Sequence, residues 1–145
     1  MFSKSTEYAL RATLYIAQKA SEEKKIGIDE ISAAIGSPKS FTAKILQTLT
    51  KNNKVVRSAS GPHGGFYLSS KAKKLPVQAI LQAMGEDEMI TACVLGLSEC
   101  SGEHPCPLHA KYKTIKRQLI SLFESQTIGQ LADQMEAAHS FITLR

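Results

Sequence analysis

The apolar period of the chain changes once, between Asn53 and Ser69, and that change limits the folds open to it. Up to Asn53, apolar residues recur three and four apart, the spacing of one helix face. Lys54–Ser58 and Phe66–Ser69 read instead as short β-strands, joined by the Gly/Pro-rich turn Ala59–Gly65, too long for a tight hairpin. Ahead of them the spacing predicts three helices. Thr6–Ala20 carries Leu10, Leu14 and Ala17 on one stripe, widened by Ala9, Ile16 and Ala20, and the charged run Ser21–Lys25 ends it. A second helix starts at Asp29, a good N-cap, and stops at Gly36. Ser37 and Pro38 open a third as cap and preset first residue; Phe41, Ile45, Leu46 and Leu49 form its apolar face, and Asn52-Asn53 closes it. Helix, helix, turn, helix and wing is the order of a winged helix-turn-helix. No common enzyme core begins this way.

Past the wing, Lys71–Lys74 reads as a basic joint, Pro76–Met84 as a short helix, and Gly85–Pro107 as an irregular stretch holding all the cysteines. Leu108, Tyr112, Ile115, Leu119 and Leu122 then alternate four and three apart, a heptad seam with Lys111, Lys113, Lys116 and Arg117 off it. Such a stripe needs a cover, either a second copy of the chain or the first helix of its own. A last helix, Ile128–Ala138, follows Thr127 as N-cap. The fold expected is mainly α with a small β wing: a winged helix-turn-helix over residues 1–74, a connecting helix and cysteine loop over 75–107, and a long dimerisation helix with a C-terminal helix over 108–145.

Charge narrows the partners. Residues 1–74 carry 13 Lys/Arg against 5 Asp/Glu, a net +8, while residues 75–145 carry 5 against 8, a net −3. A basic half on a mildly acidic chain points to a polyanion, and the helix-turn-helix pattern makes that double-stranded DNA. A solvated basic face, or a winged scaffold used for protein contacts, is the plainer alternative. Lys39, Ser40, Thr42, Ala43 and Lys44 lie early in the third helix and off its apolar face, where a recognition helix offers side chains to base edges. Lys51, Lys54 and Arg57 suit phosphates. The turn residues Ser60, Gly61, His63 and Gly64 would bring the wing tip against the sugar-phosphate or into the minor groove. No apolar run approaches the roughly 18–20 residues of a membrane span. Met1–Glu7 lacks the apolar stretch of a secretory signal, so the cytoplasm is expected.

The three cysteines are an odd number and too few for a disulfide framework. They are spaced Cys93-x6-Cys100-x5-Cys106, with His109 three residues on. Three thiolates and an imidazole suit zinc or an iron–sulfur cluster. The paired C-x2-C of most zinc sites is absent, and wider spacing fits the more distant corners of a cluster. Incidental thiols stay open as an alternative. A thiol-redox enzyme is disfavoured, since no C-x-x-C is present.

Ser5-Thr6-Glu7-Tyr8-Ala9-Leu10-Arg11-Ala12, the wing Gly61-Pro62-His63-Gly64-Gly65-Phe66-Tyr67-Leu68 and the cysteine stretch ending in Cys106-Pro107-Leu108-His109 resemble the Rrf-two family of bacterial transcription regulators, to about Phe123. Its IscR-like and NsrR-like members are iron–sulfur sensors. The resemblance implies a homodimer built on the long C-terminal helix and bound to a pseudo-palindromic operator, with Cys93, Cys100 and Cys106 as cluster ligands. His109 matches the fourth ligand of a [2Fe–2S] site, and Glu7 the acidic residue that ligates a [4Fe–4S] cluster from the other subunit; the [2Fe–2S] form is favoured, lost from samples prepared in air. Two departures stand out. The first cysteine gap is one residue longer than usual, and Ser60 replaces the wing arginine, for which Arg57 or His63 is the available substitute. The function expected is a cluster-controlled regulator, acting as a repressor; the alternative is a cluster-free regulator controlled by thiol oxidation or a partner protein.

Overall fold

A computed structural model describes residues 1–98, 101–139 and 142. Helix α1 spans Lys4–Lys19; Ser3 caps it, its hydroxyl accepting the Thr6 N–H at 3.2 Å. Small side chains let neighbours approach α1 closely, and Ala9, Ala12, Thr13, Ile16 and Ala17 are all buried. The buried stripe therefore runs through Ala9, Ala12 and Ile16, with Leu10 only half-buried.

Helices α2 (Ile28–Ile35) and α3 (Lys39–Thr50) pack on α1 and on each other. Gly36 ends α2 in the left-handed conformation, with φ 68°. Both predicted N-caps are displaced. Gly27 takes the cap position of α2, and Asp29 sits in its first turn, where a carboxylate complements the helix dipole. Pro38, not Ser37, takes the cap position of α3, with no side-chain cap bond. Ile45, Leu46 and Leu49 bury the inner face of α3, and Phe41 meets the Tyr8 ring edge-on at 5.5 Å.

Asn52 and Asn53 follow with φ of 58° and 52°, left-handed values that Asn tolerates better than most residues. They turn the chain out of the helix. Strands β1 (Arg57–Ala59) and β2 (Gly65–Tyr67) pair antiparallel, Arg57 opposite Tyr67 and Ala59 opposite Gly65. They are shorter than the alternation suggests because Val55 and Val56 are drawn into the core. The Val56 N–H bonds the Leu49 carbonyl at 3.2 Å instead of a strand partner. Ile26, from the α1–α2 linker, bridges Phe66 in both directions, at 3.1 and 2.7 Å, and roots the wing.

The basic joint is itself helical: α4 (Ser70–Lys73) is capped by the Ser69 hydroxyl. After α5 (Gln78–Ala83), a 3-10 turn at Asp87–Ile90 interrupts the stretch expected to be irregular. Helix α6 covers His109–Ser125, and α7 covers Ile128–Ala137, started by a capping box of Thr127 and Gln130. Helix α7 returns to α1. Gln18 Nε2 donates to the Ala132 carbonyl at 3.1 Å, Lys19 meets Glu136 at 2.9 Å, and Ile128 and Ala132 are buried. Paired 2.9 Å backbone bonds, Val77 N–H to Gln126 and Ile128 N–H to Leu75, stitch its start to the approach to α5. Helix α7 thus completes the core around α1. Helix α6 has no buried residue, and among the described residues no helix is long and apolar enough to cross a membrane.

Gly65 is needed where the wing meets its root. Its φ is 142°, and a Cβ there would lie 2.6 Å from the Ile26 carbonyl oxygen. Gly65→Ala is expected to cost about 1–3 kcal/mol, seen as a lower thermal unfolding midpoint, because both backbone strain and the lost Ile26–Phe66 bridge act at one point.

Candidate functional site

Two surfaces carry the predicted residues. The first is built where α6 begins. The His109 N–H donates to the Cys106 carbonyl at 3.0 Å, and this turn sets both side chains on one hollow of about 90 Å³. Thr91, Cys93 and Val94 line it from the loop; Tyr112 and Lys116, three and seven residues beyond His109, line it from the same helix face. Cys106 is buried and Cys93 half-buried. Tyr112, expected only on the dimer seam, also faces this hollow. Cys100 lies outside the described residues. Glu7 is half-buried in the first turn of α1 and does not line the hollow.

Sulfur donors and an imidazole on one hollow are the donor set of a soft metal or an iron–sulfur cluster, so the residues suit such a group. Among the described residues, no three His, Cys, Asp or Glu side chains converge closely enough to hold a single ion.

The seam on α6 is open. Leu108, Ile115 and Leu122 are 45%, 50% and 57% exposed, with Tyr112 and Leu119 half-buried. Helix α6 packs on α5 and the 3-10 turn, and its Phe123 meets the Phe2 ring edge-on at 5.6 Å.

At the opposite end of this segment, Glu86 reaches the start of α1. Its carboxylate accepts the Ser3 N–H at 3.1 Å, the Thr6 hydroxyl at 2.7 Å and the Ser3 hydroxyl. Burial pushes this carboxyl up, but the hydrogen bonds from Ser3 and Thr6 outweigh it and hold the group below the ordinary range. The helix α1 and the approach to the cysteines are therefore tied by one ionised side chain.

The second surface is basic. Lys39, Ser40, Ala43 and Lys44 are exposed on α3, as expected. Thr42 is not: it is fully buried, and its hydroxyl donates to the Pro38 carbonyl at 3.0 Å. It lies three, four and seven residues before Ile45, Leu46 and Leu49, which places it on the inner face. Gln47 was missed. It is exposed, three residues past Lys44 and four past Ala43, so the same spacing puts it on their face. Lys39 pairs with Asp29 at 2.8 Å, both well exposed, a contact worth under about 1 kcal/mol that does not withhold Lys39 from another anion. Lys51, Lys54 and Arg57 are exposed. Arg57 stands at the root of the wing, opposite Tyr67, where it shares a hollow of about 170 Å³ with Lys54 and Lys71. At the tip, Ser60, Gly61 and His63 are exposed and Gly64 half-buried.

A basic helix-turn-helix, a two-stranded wing and a projecting helix define a winged-helix regulator. The family follows from comparison with known proteins. The family model of Rrf2, described as an iron-dependent transcriptional regulator, matches residues 2–134, and the chain belongs to this family. A protein of Aquifex aeolicus provisionally named an HTH-type transcriptional regulator is 32% identical over 143 residues, covering 97% of this chain and 96% of its own. The HTH-type transcriptional regulator IscR of Klebsiella pneumoniae is 30% identical over 129 residues, covering 89% and 77%. The solved structure of CymR, the global cysteine regulator of B. subtilis, superposes with a TM-score of 0.71 at 18% identity, covering 92% of this chain and 97% of that one. The family and these relatives are transcriptional regulators, not enzymes.

Because the folded Glu86 carboxyl lies below its unfolded value, its tie stabilises the fold above the ordinary carboxylate range and is lost as pH falls through the lowered folded value. Glu86→Ala should lower the unfolding midpoint at neutral pH, and the gap to the unaltered protein should close on acidification.

Proposed function

We propose that the chain is a homodimeric, cytoplasmic DNA-binding repressor whose affinity for a pseudo-palindromic operator is set by an iron–sulfur cluster. The observation that carries this reading is the meeting of Cys93, Cys106 and His109 on one hollow, at the foot of a helix whose seam lies bare. Cys93, Cys100 and Cys106 would hold the cluster, with His109 as fourth ligand. His109 lines the hollow and supports a [2Fe–2S] form, while Glu7 would close a [4Fe–4S] site only from the partner subunit. The bound group supplies one-electron redox chemistry and sensitivity to oxidants.

The protein's own part is mechanical. Cys93 reports from the loop and Cys106 and His109 from the first turn of α6, so loading the hollow fixes where the loop sits on α6. Helix α6, paired through Leu108, Ile115, Leu119 and Leu122, would set the distance between two copies of α3. Each recognition helix then offers Lys39, Ser40, Ala43 and Lys44 to the major groove, with Lys51, Lys54 and Arg57 on phosphates and the tip Ser60–Gly64 beside them. The change in operator affinity can be no larger than the difference in cluster stability between the two arrangements.

A second reading drops the cluster and keeps the thiols. CymR, the cysteine regulator, shares this fold, and the partial exposure of Cys93 would allow control by thiol oxidation.

Three outcomes test the proposal. Lys44→Ala or Arg57→Ala should weaken operator binding across sequences and flatten its salt dependence by about one unit per phosphate contact. Ile115→Glu with Leu119→Glu should give monomers by light scattering that bind the operator poorly. Protein purified without oxygen should be brown or red, and Cys93→Ala or Cys106→Ala should bleach it; colourless unaltered protein retaining a response to thiol oxidants would favour the second reading.

A further inference from the structure

Besides the proposed ligands and the seam residue Tyr112, the cysteine hollow is lined by Thr91, Val94 and the cationic Lys116. Lys116 lies seven residues into α6 from His109 and is half-buried. Its ammonium donates to the Thr91 carbonyl at 2.9 Å and stands 5.6 Å from the centre of the Tyr112 ring. Thr91 closes the 3-10 turn Asp87–Ile90, and Cys93 follows two residues later. The backbone N–H groups of Thr91 and Ala92 both donate to the Glu88 carbonyl, at 3.1 and 2.8 Å. The Thr91 carbonyl thus leaves the turn's own bonding and points at α6.

We propose that Lys116 is a positioning residue: by bonding the Thr91 carbonyl it pins the start of the cysteine loop to α6 and so fixes Cys93 opposite Cys106 and His109. The significance of that placement rests on the cysteine hollow being the sensory site; the placement itself does not. A charge-assisted bond to a carbonyl is directional, and the Tyr112 ring face holds the cationic head on the loop side. Among the described residues, Lys116 is also the one lysine or arginine lining the hollow. It therefore puts a fixed positive charge beside sulfurs that become negative on binding a metal or on losing a proton.

The test uses the full-length, metal-free, reduced protein, so its result does not depend on cluster loading; failure of the cluster reading would show separately as colourless unaltered protein. Amide hydrogen exchange is followed at Thr91 and Ala92 in the unaltered chain, Lys116→Met and Lys116→Arg. Lys116→Met, which keeps the aliphatic length, should exchange roughly fivefold faster at these two amides, the loss expected for one net hydrogen bond, with little change in the global unfolding midpoint. Lys116→Arg should restore most of the protection, since a guanidinium can donate to the same carbonyl. Unchanged exchange in Lys116→Met overturns the proposal, as does a Lys116→Arg protein that exchanges as fast as Lys116→Met. If Lys116→Met lowers the global midpoint instead, protection is compared under conditions of equal global stability. A residual difference confined to Thr91 and Ala92 then supports the proposal, and its absence overturns it.

Discussion

The close packing around α1 is the constraint on which the rest depends. A helix can be surrounded by α2, α3, α5 and α7 only if its faces are small, and Ala9, Ala12, Ala17 and Thr13 supply that smoothness. The hydroxyl of Thr13 would be costly there, but it donates to the Ala9 carbonyl at 2.8 Å within the helix. Because α3 rests on α1 directly, the angle at which the basic face is presented follows from this packing. Because Ser3 and Thr6 hold Glu86, the path towards the cysteines starts from the same helix. One rod thus references both surfaces.

That arrangement gives the two surfaces different rigidity. The α3 side is backed by fully buried Leu46, Leu49, Val55 and Val56. The cysteine side is anchored by buried Ile90 and Cys106 and by a few polar ties, and carries Met89, Val94, Leu95 and Leu97 about half exposed. Local stability follows buried apolar contact, so the part assigned to sensing is also the part cheapest to rearrange.

Periodicity made most of the fold legible, and failed where a local rule met a stronger competitor. Gly36 and Thr127 ended and began helices as their chemistry dictates. Asp29 and Ser37 did not cap, because cap preference is worth only about 1 kcal/mol and the α2–α3 turn is set by packing. Val55 and Val56 look like strand residues by type, but the core beneath α3 buries them more effectively than a three-residue ladder could. Thr42, expected off the apolar face, is buried, as its spacing from Ile45 and Leu49 dictates. At the cysteine hollow, sequence supplied the donors; the contribution of Tyr112 and Lys116 depended on helix phase relative to a loop whose course no periodic signal records. The return of α7 was invisible for a similar reason: Gln18 and Ala132 meet across 114 residues.

That last contact also governs the order in which the molecule can be made. The head that carries α3 lacks Ile128 and Ala132 until the far end of the chain has left the ribosome, so its core closes only after α6 has been synthesised. Native heads therefore form already bearing their projecting arm, with its bare seam available to a neighbour on the same polysome. Chains halted short of α7 would carry α6 and the cysteine hollow on an unfinished core, with the alanine face of α1 exposed to solvent and to quality control.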